Sequence, residues 1–247
     1  MKRIVILVAL AWLSVAAQAV EQAPPTALVT GANRGIGLEL VTQLKSSGYR
    51  VIGTARKPFD AAQLRALGVQ VEQLDVTDGA SVAAMAERLQ GVPIDLLINN
   101  AGVGGDGGNQ ITDTDFDQLA LLFAVNSTGP MRVTQALLDN LTAGQGKTVI
   151  QISSIMGSVE KNWGGAYGYR ASKAALNIMN KSLAIELGKQ GFTCVVLHPG
   201  WVKTRMGGES APVVPVDSVA GMLAVIKDLK PSDTGRFLDY QGDEIPW

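Results

Sequence analysis

The sequence is poor in the residues that form disulfides and histidine-based centres. It contains one cysteine, Cys194, so no disulfide can form within the chain. It also contains one histidine, His198, so neither a histidine-based metal cluster nor a Ser-His-Asp triad is expected. The formal net charge is -1 and long basic runs are lacking, which argues against a surface for nucleic acid. We therefore predict no metal site and no nucleic-acid partner.

The sequence does supply enough apolar residues for one large core. Of its 247 residues, 47% are hydrophobic and 17% are charged, which is ordinary for an α/β domain. No internal repeat, low-complexity tract or interdomain linker divides it. We predict a single domain over residues 26–247.

Residues 1–19 differ in character from the rest of the chain. Lys2 and Arg3 precede the uncharged residues 4–20, and the segment ends in Ala17-Gln18-Ala19. A basic start, an apolar stretch and an A-x-A site are typical of a secretory signal peptide. We expect cleavage after Ala19 and export to the periplasm. The alternatives are an uncleaved membrane anchor or a misassigned start codon, and without use of the segment the protein would be cytoplasmic.

Apolar runs typical of strands alternate with segments of helical spacing. The runs predict strands at residues 26–30, 50–54, 69–74, 94–98, 148–152 and 192–197. The helical spacing predicts helices at residues 35–47, 113–141 and 166–189. This repeated βα pattern predicts an α/β fold in which helices cover both faces of a parallel sheet.

A glycine-rich turn follows the first predicted strand. Gly31, Gly35 and Gly37 would let the backbone approach a pyrophosphate closely, and the start of the next helix offers N–H groups to its charge. The spacing G-x-x-x-G-x-G departs from the G-x-G-x-x-G dinucleotide motif and is weak as a bare pattern. Its place between a strand and a helix favours a dinucleotide-binding turn over a simple tight turn.

Tyr169 and Lys173 are four residues apart, so on a helix they would project side by side toward one cleft. An adjacent ammonium favours the phenolate and would lower the pKa of the tyrosine toward the working pH. Moving the proton of an alcohol or a ketone requires this kind of acid/base pair. Together with the glycine turn, the pair indicates an oxidoreductase.

The chain resembles the short-chain dehydrogenase/reductase family from residue 26 onward, and within it the C-factor and sniffer-like carbonyl reductase branch. The motifs that carry this resemblance, in family order, are residues 30–37, 74–76, 99–102, Asn126, 152–154, Tyr169 with Lys173, and 199–204. The resemblance implies a single doubly wound Rossmann-type domain with a central parallel sheet of about seven strands.

The resemblance also implies roles for four residues. Tyr169 would donate a proton to the substrate carbonyl, and Lys173 would lower its pKa and hold the nicotinamide ribose. Ser154 would hydrogen-bond the substrate oxygen, and Asn126 would hold a water that links Lys173 to solvent. The gap between Ser154 and Tyr169 is longer than in many members of the family. We choose Ser154 over Ser153 because the second serine of such a pair usually fills this role.

Charge near the second strand favours NADPH over NADH. Residues 54–57 contain no acid that would bind a ribose 2′-hydroxyl. Arg34 and Arg56 would instead bind the 2′-phosphate, although two solvated surface arginines are the alternative. Further cofactor contacts implied by the resemblance fall on Asn33, Ile36, Asp75, Val76, Asn100, Ala101, Gly102, Pro199, Gly200, Val202 and Thr204.

The substrate is expected to be a small carbonyl compound: a ketone, an aldehyde or a quinone. Trp201, Met206 and the residues up to Val214 are expected to form a mobile apolar lid or, alternatively, a rigid irregular loop. Two other functions remain open: a cofactor-binding signalling or sensor protein of the C-factor type, and a scaffold anchored by its amino terminus. A homodimer through the two long predicted helices is possible, and a monomer is the alternative.

Overall fold

The structure is a computed structural model that describes residues 23–105 and 108–247. The predicted signal segment, residues 1–19, lies outside the described residues. No helix within the described part of the chain is long and apolar enough to cross a membrane.

Seven parallel strands form one sheet in the order β3-β2-β1-β4-β5-β6-β7. The strands are β1 Thr26–Val29, β2 Arg50–Ala55, β3 Gln70–Gln73, β4 Leu96–Asn99, β5 Thr148–Ile152, β6 Thr193–His198 and β7 Phe237–Asp239. Strand β1 pairs with β2 on one side and with β4 on the other, so the direction of winding reverses there. In such a sheet, ligands bind at the carboxyl ends of the strands beside this reversal.

Helices cover both faces of the sheet. They are α1 Gly35–Ser46, α2 Ala62–Ala66, α3 Gly79–Arg88, α4 Phe116–Phe123, α5 Gly129–Ala136, α6 Leu138–Ala143, α7 Tyr167–Leu187 and α8 Pro215–Asp228. One buried cluster joins the sheet to α1 and α8 through residues such as Leu40 and Met222. A second cluster joins the opposite face to α3, α5 and α7, with Met85 and Val133 among its members. The expected doubly wound α/β domain is confirmed.

The expected helix over residues 113–141 is divided into three. Helix α4 begins at Phe116 because Asp115 caps it, accepting hydrogen bonds from the N–H groups of Asp117 and Gln118. A π-helical turn, Ala124–Thr128, separates α4 from α5, and Pro130 follows within the first turn of α5. Since proline has no N–H, it cannot donate a backbone hydrogen bond to the preceding turn. The boundary between α4 and α5 therefore lies where the π-helical turn and Pro130 interrupt the regular α-helical hydrogen bonds.

Candidate active site

The turn between β1 and α1 depends on its glycines. Gly31 and Gly35 have φ angles of +64° and +54°, in the left-handed region that glycine adopts without strain. A Cβ atom on Gly37 would lie 2.3 Å from the carbonyl oxygen of Gly31, a distance that no side chain tolerates. The backbone is thus folded tightly at the amino terminus of α1, as close approach of a phosphate requires.

The amino terminus of α1 carries no capping side chain. Arg34 occupies the N-cap position without a capping hydrogen bond, and the first turn contains no acidic residue. Asn33 is partly exposed beside it, and Ile36 packs against the core. The first N–H groups of a helix carry partial positive charge and bind anions when no side chain occupies them. This end of α1 therefore fits a pyrophosphate group.

Residues that follow β4 support the glycine turn. The side-chain amide of Asn100 donates to the carbonyl oxygens of Thr30, at 2.9 Å, and Gly31, at 3.2 Å. Ala101 packs against Gly31, where an added Cβ would lie 2.8 Å from the Cα of Ala101. Gly102 lies close to the catalytic residues, because a Cβ atom on it would lie 3.8 Å from Nζ of Lys173. The structure thus joins the two predicted motifs in one site.

Three arginines lie near the glycine turn. Arg34, Arg56 and Arg205 are all exposed. Partial burial lowers the pKa of Arg34, and the positive charges of Arg205 and then Arg56 lower it further. Arg205 is not among the residues expected from the sequence. Its only sequence signal is a positive charge directly after Thr204, on a loop far from the glycine turn along the chain.

Asp75 and Val76 follow β3, on the side where the adenine was expected. The carboxylate of Asp75 accepts hydrogen bonds from the backbone N–H and the hydroxyl of Thr77, at 2.9 and 2.7 Å. Burial acts to raise the pKa of Asp75, but these hydrogen bonds and the charge of Arg56 outweigh burial and lower it. Val76 is buried and its carbonyl accepts a hydrogen bond from Arg132. Asp75 is thus held as a carboxylate beside the basic residues.

Tyr169 and Lys173 both lie near the start of α7, as their spacing predicts. The Nζ atom of Lys173 is 5.9 Å from the centre of the Tyr169 ring, and it donates a 2.9 Å hydrogen bond to the carbonyl oxygen of Ile152. Ser154 lies beside the phenol of Tyr169 and acts to lower its pKa. Helix α7 and the end of β5 therefore bring Ser154, Tyr169 and Lys173 to one place.

Burial governs the acid/base properties of this group. It raises the pKa of Tyr169, although Ser154 acts in the opposite direction. Burial also lowers the pKa of Lys173 from 10.5 to about 8. Lys173 is not among the groups that shift the pKa of Tyr169 in this structure, so the expectation that it lowers this pKa stays a prediction. The lysine binds the Ile152 carbonyl instead, and removal of the phenol from water has the larger effect.

Ser153 and Ser154 point to different partners. The hydroxyl of Ser153 donates a 2.7 Å hydrogen bond to the side-chain oxygen of Asn177. Ser154 Oγ accepts a 3.2 Å hydrogen bond from the N–H of Met156 and lies against Tyr169. This arrangement is the one expected when the two serines lie on opposite faces of a strand end.

Asn126 is buried in the π-helical turn between α4 and α5. Its side-chain oxygen accepts a hydrogen bond from the N–H of Val103 at 2.9 Å. Its amide group donates to the carbonyl of Val103 at 3.0 Å and to Oγ of Ser172 at 3.1 Å. Asn126 therefore links Val103, in the loop after β4, to Ser172 on helix α7. Its expected contact with a water stays a prediction.

The loop after β6 lies against both parts of the site. Its expected cofactor-binding residues begin with Pro199, whose carbonyl accepts a 2.6 Å hydrogen bond from Ser218, and Gly200, with a φ angle of +84°. Val202 is buried and pairs with Val213. The methyl group of Thr204 would lie 3.5 Å from a Cβ on Gly35, so this loop contacts the glycine turn.

Two apolar side chains of this loop are exposed. Trp201 is 55% exposed and Met206 is 56% exposed. The indole N–H of Trp201 donates a 2.7 Å hydrogen bond to the carbonyl of Gly207, and Met206 lies against Gly104. Met206 therefore connects the loop after β6 with the loop after β4, while Trp201 is bonded within its own loop.

His198 does not have the acid/base properties expected of a catalytic residue. Burial lowers its pKa from 6.5 to about 4, although the charge of Asp239 opposes the shift. Its imidazole is therefore neutral near neutral pH. No group of acidic, histidine or cysteine side chains suited to a metal ion occurs among the residues that the structure describes.

Comparisons with known proteins give consistent matches. The family model described as short chain dehydrogenase matches residues 25–214. C-signal from Myxococcus xanthus is 50% identical over 156 residues, which cover 63% of this chain and 93% of C-signal. The structure of NADPH bound carbonyl reductase from chicken fatty liver has a TM-score of 0.84 and 35% identity, covering 92% of this chain and 100% of that chain. The carbonyl reductase Sniffer of D. melanogaster has a TM-score of 0.86 and 31% identity, covering 91% of this chain and 100% of that chain.

Proposed function

Since this chain belongs to the short chain dehydrogenase family, we propose that it is an NADPH-dependent reductase of a ketone, aldehyde or quinone. The expected resemblance to the C-factor and sniffer-like branch is confirmed. The family and its carbonyl reductase neighbours support an oxidoreductase. The observation that carries the finer proposal is the placement of Ser154 beside Tyr169, with Lys173 on the same helix end and the glycine turn beside them.

The site fits a nicotinamide dinucleotide. Gly31, Gly35 and Gly37 shape the turn, and the uncapped start of α1 offers N–H groups to a pyrophosphate. Asp75 and Val76 would border the adenine, and Thr204 would contact the nicotinamide carboxamide. When bound, NADPH supplies a hydride to the substrate carbonyl carbon.

The catalytic residues act on the substrate oxygen. Negative charge develops on this oxygen as the carbonyl is reduced, and hydrogen-bond donors placed there stabilise it. Ser154 donates one hydrogen bond, while Tyr169 donates a second and delivers its proton. Lys173 holds the nicotinamide ribose and places a positive charge near the phenol. That charge would stabilise the phenolate that remains after proton transfer.

The preference for NADPH over NADH rests on Arg34 and Arg56. The segment 54–57 has no acid to accept a hydrogen bond from a ribose 2′-hydroxyl, whereas a guanidinium binds phosphate through two parallel donors. The chicken carbonyl reductase that this chain resembles is described as NADPH bound. Equal catalytic efficiency with the two cofactors would contradict the preference.

The test is oxidation of NADPH and NADH by the full-length protein with a panel of aldehydes, diketones and quinones. Tyr169→Phe removes the proposed acid, and Tyr167→Phe is its matched control because Tyr167 is exposed two residues away on α7. We expect turnover with NADPH that Tyr169→Phe lowers by at least about 100-fold. Tyr167→Phe should leave it nearly unchanged.

A second candidate function is favoured by the similarity to C-signal. In this alternative the protein is a signalling or sensor protein, in which cofactor binding matters and turnover is incidental. Cofactor binding with no turnover of any panel member would favour this alternative. The presence of Ser154, Tyr169 and Lys173 in one group favours the enzyme.

A further inference from the structure

We propose that Arg205 binds the cofactor pyrophosphate from the loop side, opposite the glycine turn. The inference rests on the proposed dinucleotide-binding function and adds a residue to it. Arg205 follows Thr204 directly, so the loop that contains Trp201 and Met206 would also hold the cofactor.

The first support is the position of the loop. Thr204 lies against Gly35, at 3.5 Å from the point where a Cβ would be. Its hydroxyl accepts a 3.1 Å hydrogen bond from the N–H of Gly207, and its carbonyl accepts a 2.9 Å hydrogen bond from the N–H of Gly208. These contacts hold the turn that contains Arg205 in place beside Gly35, the first residue of α1.

The second support is unbalanced positive charge. Within the described residues, Arg34, Arg56 and Arg205 form no ion pair with a carboxylate. Lys203, two residues before Arg205, differs because its ammonium lies 3.2 Å from the carboxylate of Glu209. The carboxylate of Asp75 is near Arg56, whereas Arg34 and Arg205 repel one another, and a bound anion would stabilise two such guanidinium groups.

The third support distinguishes the two phosphate positions of NADPH. Thr204, the residue directly before Arg205, touches Gly35 at the open start of α1. Helix N–H groups bind the pyrophosphate in folds of this class. Arg56 instead follows the end of β2, where the adenosine ribose lies. Arg205 is therefore assigned to the pyrophosphate, which NADPH and NADH share.

The test is the dissociation constant of NADPH and of NADH for the full-length protein, measured by cofactor fluorescence without substrate. Arg205→Gln removes the charge, and Lys203→Gln is the matched control on the same loop. A hydrogen bond between charged groups predicts that Arg205→Gln weakens both cofactors by a similar factor of roughly 10 or more. Arg56→Gln should weaken NADPH only, and Arg205→Lys should retain part of the affinity.

Thermal unfolding separates binding from a structural role. Without cofactor, Arg205→Gln should melt at the wild-type temperature or slightly above it, because the substitution removes repulsion with Arg34. With saturating NADPH its melting temperature should rise less than that of the wild type. A lower melting temperature without cofactor, together with unchanged dissociation constants, would assign Arg205 to loop stability and overturn the proposal.

The outcomes distinguish this inference from the proposed function. If the wild type binds both dinucleotides and Arg205→Gln matches Lys203→Gln, the role of Arg205 is wrong and the function stands. If Arg205→Gln weakens NADPH alone, the pyrophosphate assignment is wrong. If the wild type binds neither dinucleotide, both the function and this inference are wrong.

Discussion

Ser153 is hydrogen-bonded to Asn177 and is therefore turned away from Tyr169, whereas the adjacent Ser154 lies beside that phenol and acts on its pKa. Substitution of the two serines should accordingly have different effects. Ser154→Ala should lower kcat/KM by about 100-fold or more, because it removes a donor to the developing oxyanion. Ser153→Ala should change kcat/KM little and lower the free energy of unfolding by about 1 kcal/mol. Kinetics and denaturant titration of both variants measure the difference, and equal kinetic losses would contradict it.

Lys173 is expected to lower the free energy of unfolding, although turnover requires it. Its pKa in the folded protein is about 8, below its ordinary 10.5, so in this range the unfolded chain binds more protons. Wild-type stability should therefore rise as the pH increases from about 8 to about 10.5. Lys173→Met should abolish turnover, raise the free energy of unfolding at pH 7 by about 2 kcal/mol, and remove this rise. A less stable variant with an unchanged pH dependence would refute the expectation.

His198 should affect stability in acid but not catalysis. Its pKa in the folded protein is about 4, below its ordinary 6.5, so between these values the unfolded chain binds more protons. The contribution of His198 to stability is therefore lost as the pH falls through this range. In His198→Gln, the loss of stability between pH 6.5 and pH 5 should be smaller by about 1 kcal/mol or more. The pH dependence of kcat/KM above pH 6 should be unchanged, and a shifted profile would show that His198 takes part in proton transfer.

Arg56 should determine cofactor preference. Arg56→Asp places an acid at the end of β2, where it would accept a hydrogen bond from a ribose 2′-hydroxyl and repel a 2′-phosphate. The ratio of kcat/KM for NADPH to that for NADH should fall by roughly 100-fold. Arg50→Asp is a suitable control, because Arg50 is exposed at the opposite end of the same strand. If both substitutions change the ratio equally, the effect comes from net charge alone.

Much of the site follows from short sequence patterns. Tyr169 and Lys173 could be predicted because four residues on a helix bring two side chains to one face. Gly31, Gly35 and Gly37 could be predicted because they lie between a strand and a helix. The parallel sheet could be predicted from the alternation of elements, and the number of strands from the family resemblance, whereas the order of the strands is given by the structure.

Other properties depend on contacts between distant parts of the chain. The approach of Arg205 to Arg34 is set by how the loop after β6 packs on Gly35. The raised pKa of Tyr169 comes from its burial, which its spacing to Lys173 does not reveal. The division of the helix over residues 113–141 also escapes the apolar pattern, because the spacing of apolar residues does not reveal the π-helical turn Ala124–Thr128.

The most direct test of the account is transfer of deuterium from NADPH that carries two deuterium atoms at C4 of the nicotinamide to a carbonyl substrate, followed by mass spectrometry of the alcohol formed. We predict that the wild type transfers deuterium to the former carbonyl carbon, that Tyr167→Phe does so at a similar rate, and that Tyr169→Phe does so at least about 100-fold more slowly. Transfer by Tyr169→Phe at the wild-type rate, or no deuterated product from the wild type with any member of the panel, would contradict the account.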